Sequence, residues 1–319
     1  MNWRHRTMKN LSALINDKGI ISALAIDQRG ALKRMMGEAI SGKQISAFKQ
    51  LVSEQLTPYA SSILLDPEYG LEAAGKRAPD CGLILAYEQT GYDKQEAGRF
   101  PDLITNCSVK NLKARGADAI KLLIYVDVDE SKEINEVKEA FVERVGSECI
   151  AEDIPLFLEI LTYDDRIGNE KGLEFAKVKP RKVIEAMRLY SQARFNIDVL
   201  KVEVPVNMNF VEGFAEGATA YTQVEAQAFF KQQTEATELP FIFLSAGVTP
   251  ALFQETLHFA KGAGSTFNGV LCGRATWSGA TEAFTKDGEV ASTEWLKTEG
   301  VRNIQALDEV VQETATAIS

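Results

Sequence analysis

Eight short runs of almost unbroken apolar residues recur along this chain. They are ISALAID (21–27), SSILLD (61–66), GLILAYE (82–88), DAIKLLIY (118–125), IPLFLEIL (154–161), DVLKVEVP (198–205), PFIFLSAG (240–247) and NGVLCGR (268–274). A short run that is apolar at successive positions suits a strand covered on both faces, as in a parallel sheet flanked by helices. Amphipathic segments lie between several of the runs: KQISAFKQLVSEQL (43–56), INEVKEAFVERVGSECIAE (134–152), PRKVIEAMRLYSQARF (180–195) and TPALFQETLHFAKGAG (249–264). The last closes on Gly262 and Gly264, a helix-stop signal. Strand and helix alternating eight times predict an α/β fold of the (β/α)8 TIM-barrel class.

An open doubly wound sheet has the same alternation. Its dinucleotide-binding form carries GxGxxG after the first strand, and here that strand runs into DQRGALKRMM. The 319 residues fit a single barrel spanning 1–319, because no repeat, low-complexity tract or Pro/Gly/Ser linker divides them. A further helical region follows Arg274 and ends in NIQALDEVVQETATA.

Charge narrows the partners. Lys plus Arg number 35 against 45 Asp plus Glu, a net charge of −10. A field of that sign disfavours nucleic acid and anionic membranes, and an anionic small molecule then needs a local cationic pocket. No apolar run reaches the roughly 18 residues of a membrane span. The basic N-terminus MNWRHRTMKN has no apolar stretch behind it, so no signal peptide is expected. Cys81, Cys107, Cys149 and Cys272 form no CxxC pair, which argues against a disulfide framework or zinc knuckle and for a reducing cytoplasm. Of two histidines, His5 lies in the polar N-terminal arm and His258 in a helical pattern, where we expect it to be partly buried. A zinc-dependent enzyme wants several histidine ligands, so neither a metal nor any other cofactor is expected.

In a barrel, functional groups gather at the C-terminal ends of strands, and a charge inside an apolar run must be paired or functional. In DVLKVEVP, Leu200, Val202 and Val204 share one face and Lys201 and Glu203 the other. Lys201 is either a structural ion-pair partner of Glu203 or a neighbour, or an amine that forms a Schiff base once deprotonated. Lys121 in DAIKLLIY is either a barrel salt bridge or a second ammonium that lowers the pKa of Lys201 or holds substrate. Glu159, in LFLEI, is placed to move protons during imine formation and carbon–carbon cleavage. Asp27 orients a lysine, binds a substrate hydroxyl, or caps a helix. The endings of the last two runs, Ser245, Ala246 and Gly247 and then Gly273 and Arg274, suit the phosphate position of barrels. Turns need glycine for other reasons as well. Gln28, beside Asp27, is grouped with these substrate-binding residues.

Several long segments together resemble one family. ISALAIDQRGALKRMM, LVSEQLTPYASSILLDPEYGL, ADAIKLLIYVDVD, VERVGSECIAEDIPLFLEI, DVLKVEVPVNMNFVEGF, LSAGVTPALFQETL and GVLCGRATWSGA are similar to the tagatose-bisphosphate aldolases of the lactose and galactose pathway of Gram-positive bacteria. The resemblance covers nearly the whole chain. It matches least well between LTYDDRI and KVKPRKV and in the C-terminal tail. It implies metal-independent (class I) cleavage of tagatose 1,6-bisphosphate to dihydroxyacetone phosphate and glyceraldehyde 3-phosphate, with fructose 1,6-bisphosphate as a second substrate. It implies Lys201 as imine former, Glu159 as acid/base, and Asp27 and Lys121 as active-site polar residues. The expected partner is a phosphorylated ketose, and the expected assembly a homo-oligomer. A sugar-phosphate isomerase or related aldolase, and a non-catalytic sugar-phosphate sensor, are the competing readings.

Overall fold

The computed structural model describes residues 10–89, 96–245 and 247–318; His5 and Ala246 lie outside them. Its strands are β1 (Ile21–Ala25), β2 (Ser62–Leu65), β3 (Gly82–Ala86), β4 (Ala119–Val126), β5 (Leu156–Thr162), β6 (Val199–Val202), β7 (Phe241–Phe243) and β8 (Gly269–Cys272). They pair in parallel in chain order, and β8 returns to β1 to close a barrel. Every apolar run yields one strand. Most runs are trimmed at their ends, where the chain turns off the sheet with its polar residues.

The helices are α1 (Gly30–Met36), α2 (Gly42–Leu56), α3 (Leu71–Ala74), α4 (Val109–Ala114), α5 (Lys132–Ala151), α6 (Leu173–Tyr190), α7 (Gln223–Thr234), α8 (Pro250–Gly262), α9 (Arg274–Trp295) and α10 (Val301–Thr314). Helix α2 shows how they attach. Ser41 and Gln44 form a reciprocal capping box at its start. Ile45, Phe48, Val52 and Leu56 then recur on one face and are all buried. Phe48 meets Trp277 and Phe284 edge-on, with centroids 6.0 and 5.5 Å away. Truncating such a ring to alanine costs about 3–5 kcal/mol.

Helix α6 departs from expectation. The pattern starts a helix at Pro180, yet the helix begins at Leu173 and carries Pro180 inside it. Proline removes one backbone N–H, but buried Phe175, Ala176, Val183, Ile184 and Met187 hold both halves of the helix on the sheet. The helix also stops at Tyr190, and Ala193–Phe195 turns separately as a 3-10 helix.

The core has two compartments. Outward strand residues such as Leu24, Ile63, Leu85, Leu122, Leu158 and Leu200 pack under the helices. Inward residues Ile21, Ala23, Ala25, Leu64, Ile84, Ala86, Ala119, Phe157, Val199, Ile242 and Leu271 fill the barrel, joined from its N-terminal end by Leu11 and Leu14. The alternation is the strand period of two. The C-terminal tail closes the same end, with Ile318 N–H donating to Gly19 O at 2.8 Å and Thr316 N–H to Phe267 O at 2.8 Å. Among the described residues no helix is long and apolar enough to cross a membrane.

Candidate active site

Carrying the inward period two residues past the apolar layer leads into the site. Ala25 is followed by Asp27, Ala86 by Glu88, Ala119 by Lys121, Phe157 by Glu159, Val199 by Lys201, and Leu271 by Gly273. Strand register then brings these groups together. Glu159 pairs across β5 and β6 with Lys201, and Lys121 lies beside Phe157 on β4, next to β5.

Lys121 is the hub. Its Nζ meets Asp27 Oδ2 at 2.9 Å, Glu88 Oε1 at 2.7 Å and Glu159 Oε2 at 2.8 Å. Three carboxylates take the three N–H bonds of the ammonium. Burial by itself lowers the Lys121 pKa, but Asp27, Glu159 and Glu88 outweigh it and hold the pKa well above the usual lysine value. Lys121 is therefore a fixed cation, and its charge is spent on these carboxylates. Of the alternatives for Lys121, the structure shows the barrel salt bridge, made to three carboxylates at once.

Lys201 is differently placed. Its one ion-pair partner among the described residues is Glu159, with Nζ–Oε1 2.8 Å, and it lines a cavity of about 460 Å³ at the barrel mouth. Of the two strand lysines, Lys201 alone lines that cavity. Glu159 thus bridges both, giving one oxygen to each. Burial would raise its pKa, but Lys121 and Lys201 outweigh burial and hold the carboxyl below its usual range. Asp27 behaves alike: burial raises it, and Lys121 and Lys201 pull it well below the carboxylate range. Asp27 does not cap α1; the residue at that cap is Arg29, whose side chain makes no capping bond. Glu203 is not the partner of Lys201. Its Oε1 meets Lys179 Nζ at 3.1 Å, and its Oε2 accepts from Thr162 N–H at 2.8 Å and Thr162 O–H at 2.6 Å.

Gln28, Ser245, Gly247, Gly273 and Arg274 line the same cavity. Gly273 sits at the N-cap of α9 without a side-chain cap, and both it and Arg274, the first residue of that helix, line the cavity; α9 is broken further along at Gly288, where φ is 86°. Glycine is required at both bends that line the cavity. A Cβ on Gly273 would lie 2.6 Å from Ala25 O. Gly247 has φ 77°, and a Cβ there would lie 3.0 Å from Arg274 Nη2. The buried Gln28 Oε1 has no hydrogen-bond partner among the described residues, an acceptor open to a hydroxyl.

Glu88 was missed in the sequence. It is almost fully buried, Leu123 N–H donates to its Oε2 at 3.1 Å, and its carbonyl accepts from Arg29 at 2.8 Å. Burial raises its pKa more than Lys121 lowers it, and Asp27 adds repulsion. The rule that singled out Asp27 and Glu159, a charge ending an apolar run, applies equally to Glu88. His258 is exposed on α8 rather than partly buried. Asp127, Asp129 and Asp164 converge, and the Lys182 ammonium sits among them, pairing with all three.

Glycines and an arginine that suit an anion, beside a buried amine that borders the cavity and a carboxylate paired with it, are equipment for imine chemistry on a phosphorylated carbonyl compound. Known proteins point the same way. Curated relatives named tagatose 1,6-diphosphate aldolase are 60% identical in Staphylococcus epidermidis, covering 99% of each chain, and 59% identical in Staphylococcus aureus, covering 99% of this chain and 98% of that one. Solved structures share the fold. An archaeal fructose 1,6-bisphosphate aldolase superposes with TM-score 0.62 at 16% identity over 95% of this chain and 98% of that one. The fructose-bisphosphate aldolase of Plasmodium falciparum gives 0.70 at 12% identity over 96% and 93%. The model of the DeoC/LacD family aldolases matches residues 21–279, and this chain belongs to that family.

Proposed function

We propose that the protein is a class I aldolase that cleaves tagatose 1,6-bisphosphate through an imine on Lys201. The observation that carries this reading is the contrast between the two lysines: Lys121 gives its three N–H bonds to carboxylates, whereas Lys201 has one carboxylate partner and borders the cavity.

The phosphate next to the carbonyl enters the cradle of Ser245, Gly247, Gly273 and Arg274. Glu159 takes a proton from the Lys201 ammonium, and the free amine attacks C2. Glu159 returns that proton as the carbinolamine loses water, leaving a protonated imine. The carboxylate then removes the C4 hydroxyl proton. The C3–C4 bond breaks, its electron pair passes into the iminium as an enamine, and glyceraldehyde 3-phosphate departs. Protonation at C3 and hydrolysis release dihydroxyacetone phosphate and the amine. One carboxylate 2.8 Å from the amine supports each of these transfers. Lys121 keeps Glu159 ionised and oriented. Fructose 1,6-bisphosphate is proposed as a second substrate, and the cytoplasm, a reducing compartment that suits four widely spaced cysteines with no CxxC pair, as its location.

Incubation with dihydroxyacetone phosphate followed by borohydride tests the reading. Peptide mapping should find the label on Lys201, and a label on Lys121 would overturn the assignment. Turnover should survive a strong chelator.

A further inference from the structure

The cavity has a second cationic wall that the cradle does not use. Lys179 of α6 is 6% exposed, lines the cavity, and is held by Glu203 at 3.1 Å. Glu203 is itself fixed by the backbone N–H and hydroxyl of Thr162. Only one of three ammonium N–H bonds is needed for that carboxylate, which leaves donors for a ligand. Exposed Lys171 lines the same cavity, as does Asn207. Glu170 also borders it, but Arg99 engages that carboxylate at 2.8 Å.

Position decides what this wall would meet. Glu203 follows Lys201 by two residues towards the mouth, a rise of about 6.6 Å along a strand. From the carbonyl carbon of a 2-ketohexose to its last carbon there are four C–C bonds of about 1.5 Å, roughly 5 Å when extended. The cradle for the near phosphate lies beyond β7 and β8, and the Lys179 wall lies beyond β5 and β6 on the other side of Lys201. A ketose joined to Lys201 with one phosphate in the cradle therefore points its far end at Lys179.

We propose that Lys179, oriented by Glu203 and joined at the rim by Lys171, binds the phosphate at the end of the ketose remote from the carbonyl. This rests on the aldolase reading above. It assigns to Lys179 the preference for a bisphosphate over a ketose 1-phosphate, and to Glu203 the positioning of Lys179.

The test compares kcat/KM for tagatose 1,6-bisphosphate and tagatose 1-phosphate. Wild type should prefer the bisphosphate. Lys179→Met should lower kcat/KM for the bisphosphate about ten-fold or more, mainly through KM, and leave the 1-phosphate within about two-fold. Because Lys179→Met strands a buried carboxylate, the double variant Lys179→Met, Glu203→Gln is measured beside it, with the urea midpoint of each. Lys171→Met, at an exposed site, should show a smaller loss confined to the bisphosphate, and Lys179→Arg should retain the preference. Equal losses on both substrates would mark Lys179 as structural and overturn the proposal. So would an unchanged preference in the double variant and in Lys171→Met, or no preference in wild type. Borohydride trapping of dihydroxyacetone phosphate separates the two readings. A wild type that forms no imine sinks the aldolase reading, whereas variants that trap normally without losing the preference sink only this one.

Discussion

Glu159 and Lys201 face each other across neighbouring strands, Cα opposite Cα, with Oε1 and Nζ 2.8 Å apart. No loop intervenes, so the distance between carboxylate and amine is set by sheet register. Slipping β5 by one residue would turn Glu159 out of the barrel.

Glu159→Gln should therefore keep the fold and lose proton transfer. The substitution preserves volume and one acceptor. We expect kcat to fall by about 10²–10⁴, the usual range for one acid/base group. The denaturant midpoint, measured on the same preparation, should move far less. A normal kcat with a lowered midpoint would make Glu159 a neutralising residue only.

Lys121→Met should do the opposite. It leaves Asp27, Glu88 and Glu159 buried around an apolar side chain. Removing one partner of a buried ion cluster costs about 3–5 kcal/mol. Urea unfolding is the measurement. A loss under about 1 kcal/mol would show that Lys121 is not the centre of the cluster.

Arg274→Ala should raise KM by about 10- to 100-fold and change kcat less, because a charge-assisted bond to phosphate, worth about 1.5–3 kcal/mol, is made in ground and transition states alike. Gly247→Ala should act in the same direction more weakly, since its Cβ would press on the Arg274 guanidinium and its φ of 77° disfavours a side chain. An unchanged KM in Arg274→Ala would remove that residue from the cradle.

Acid should loosen the β4–β5 side of the mouth. A hydrogen bond from Arg181 is the largest influence on the Asp129 carboxyl; with Lys182 it outweighs burial and brings the carboxyl down to about 2. A carboxyl depressed in the folded state contributes stability that is present above its unfolded pKa of about 3.9 and lost as pH falls through the folded value. The urea midpoint should thus decline between about pH 4 and pH 2, and Asp129→Asn should flatten that decline. Superimposable profiles would defeat the account.

The fold was legible because each strand is buried on both faces and leaves an apolar run; all eight runs became strands. Lys201, Glu159, Lys121 and Asp27 were legible as charges in or at the end of such runs, and they do converge. What could not be read was pairing. The sequence alternatives for Lys201 and Glu203 turned on which carboxylate each cation meets, and that depends on register between strands some forty residues apart and on the entry of Lys179 from α6. Lys179 was invisible because it sits on a helix whose start was placed at the proline after it.

The return of β8 to β1 has a consequence for how the enzyme is made. Asp27 leaves the ribosome early and Arg274 some 250 residues later, and the seam between first and last strands must form before the cradle faces the amine. Contacts this distant in sequence form slowly, because the intervening chain must first be ordered. A nascent chain therefore carries both lysines and all three of their carboxylates before it has the proposed anion cradle. Catalysis then reports completion of the barrel: chains stopped short of β8 lack the cradle, and turnover should rise with formation of the β1–β8 seam rather than with the appearance of helix.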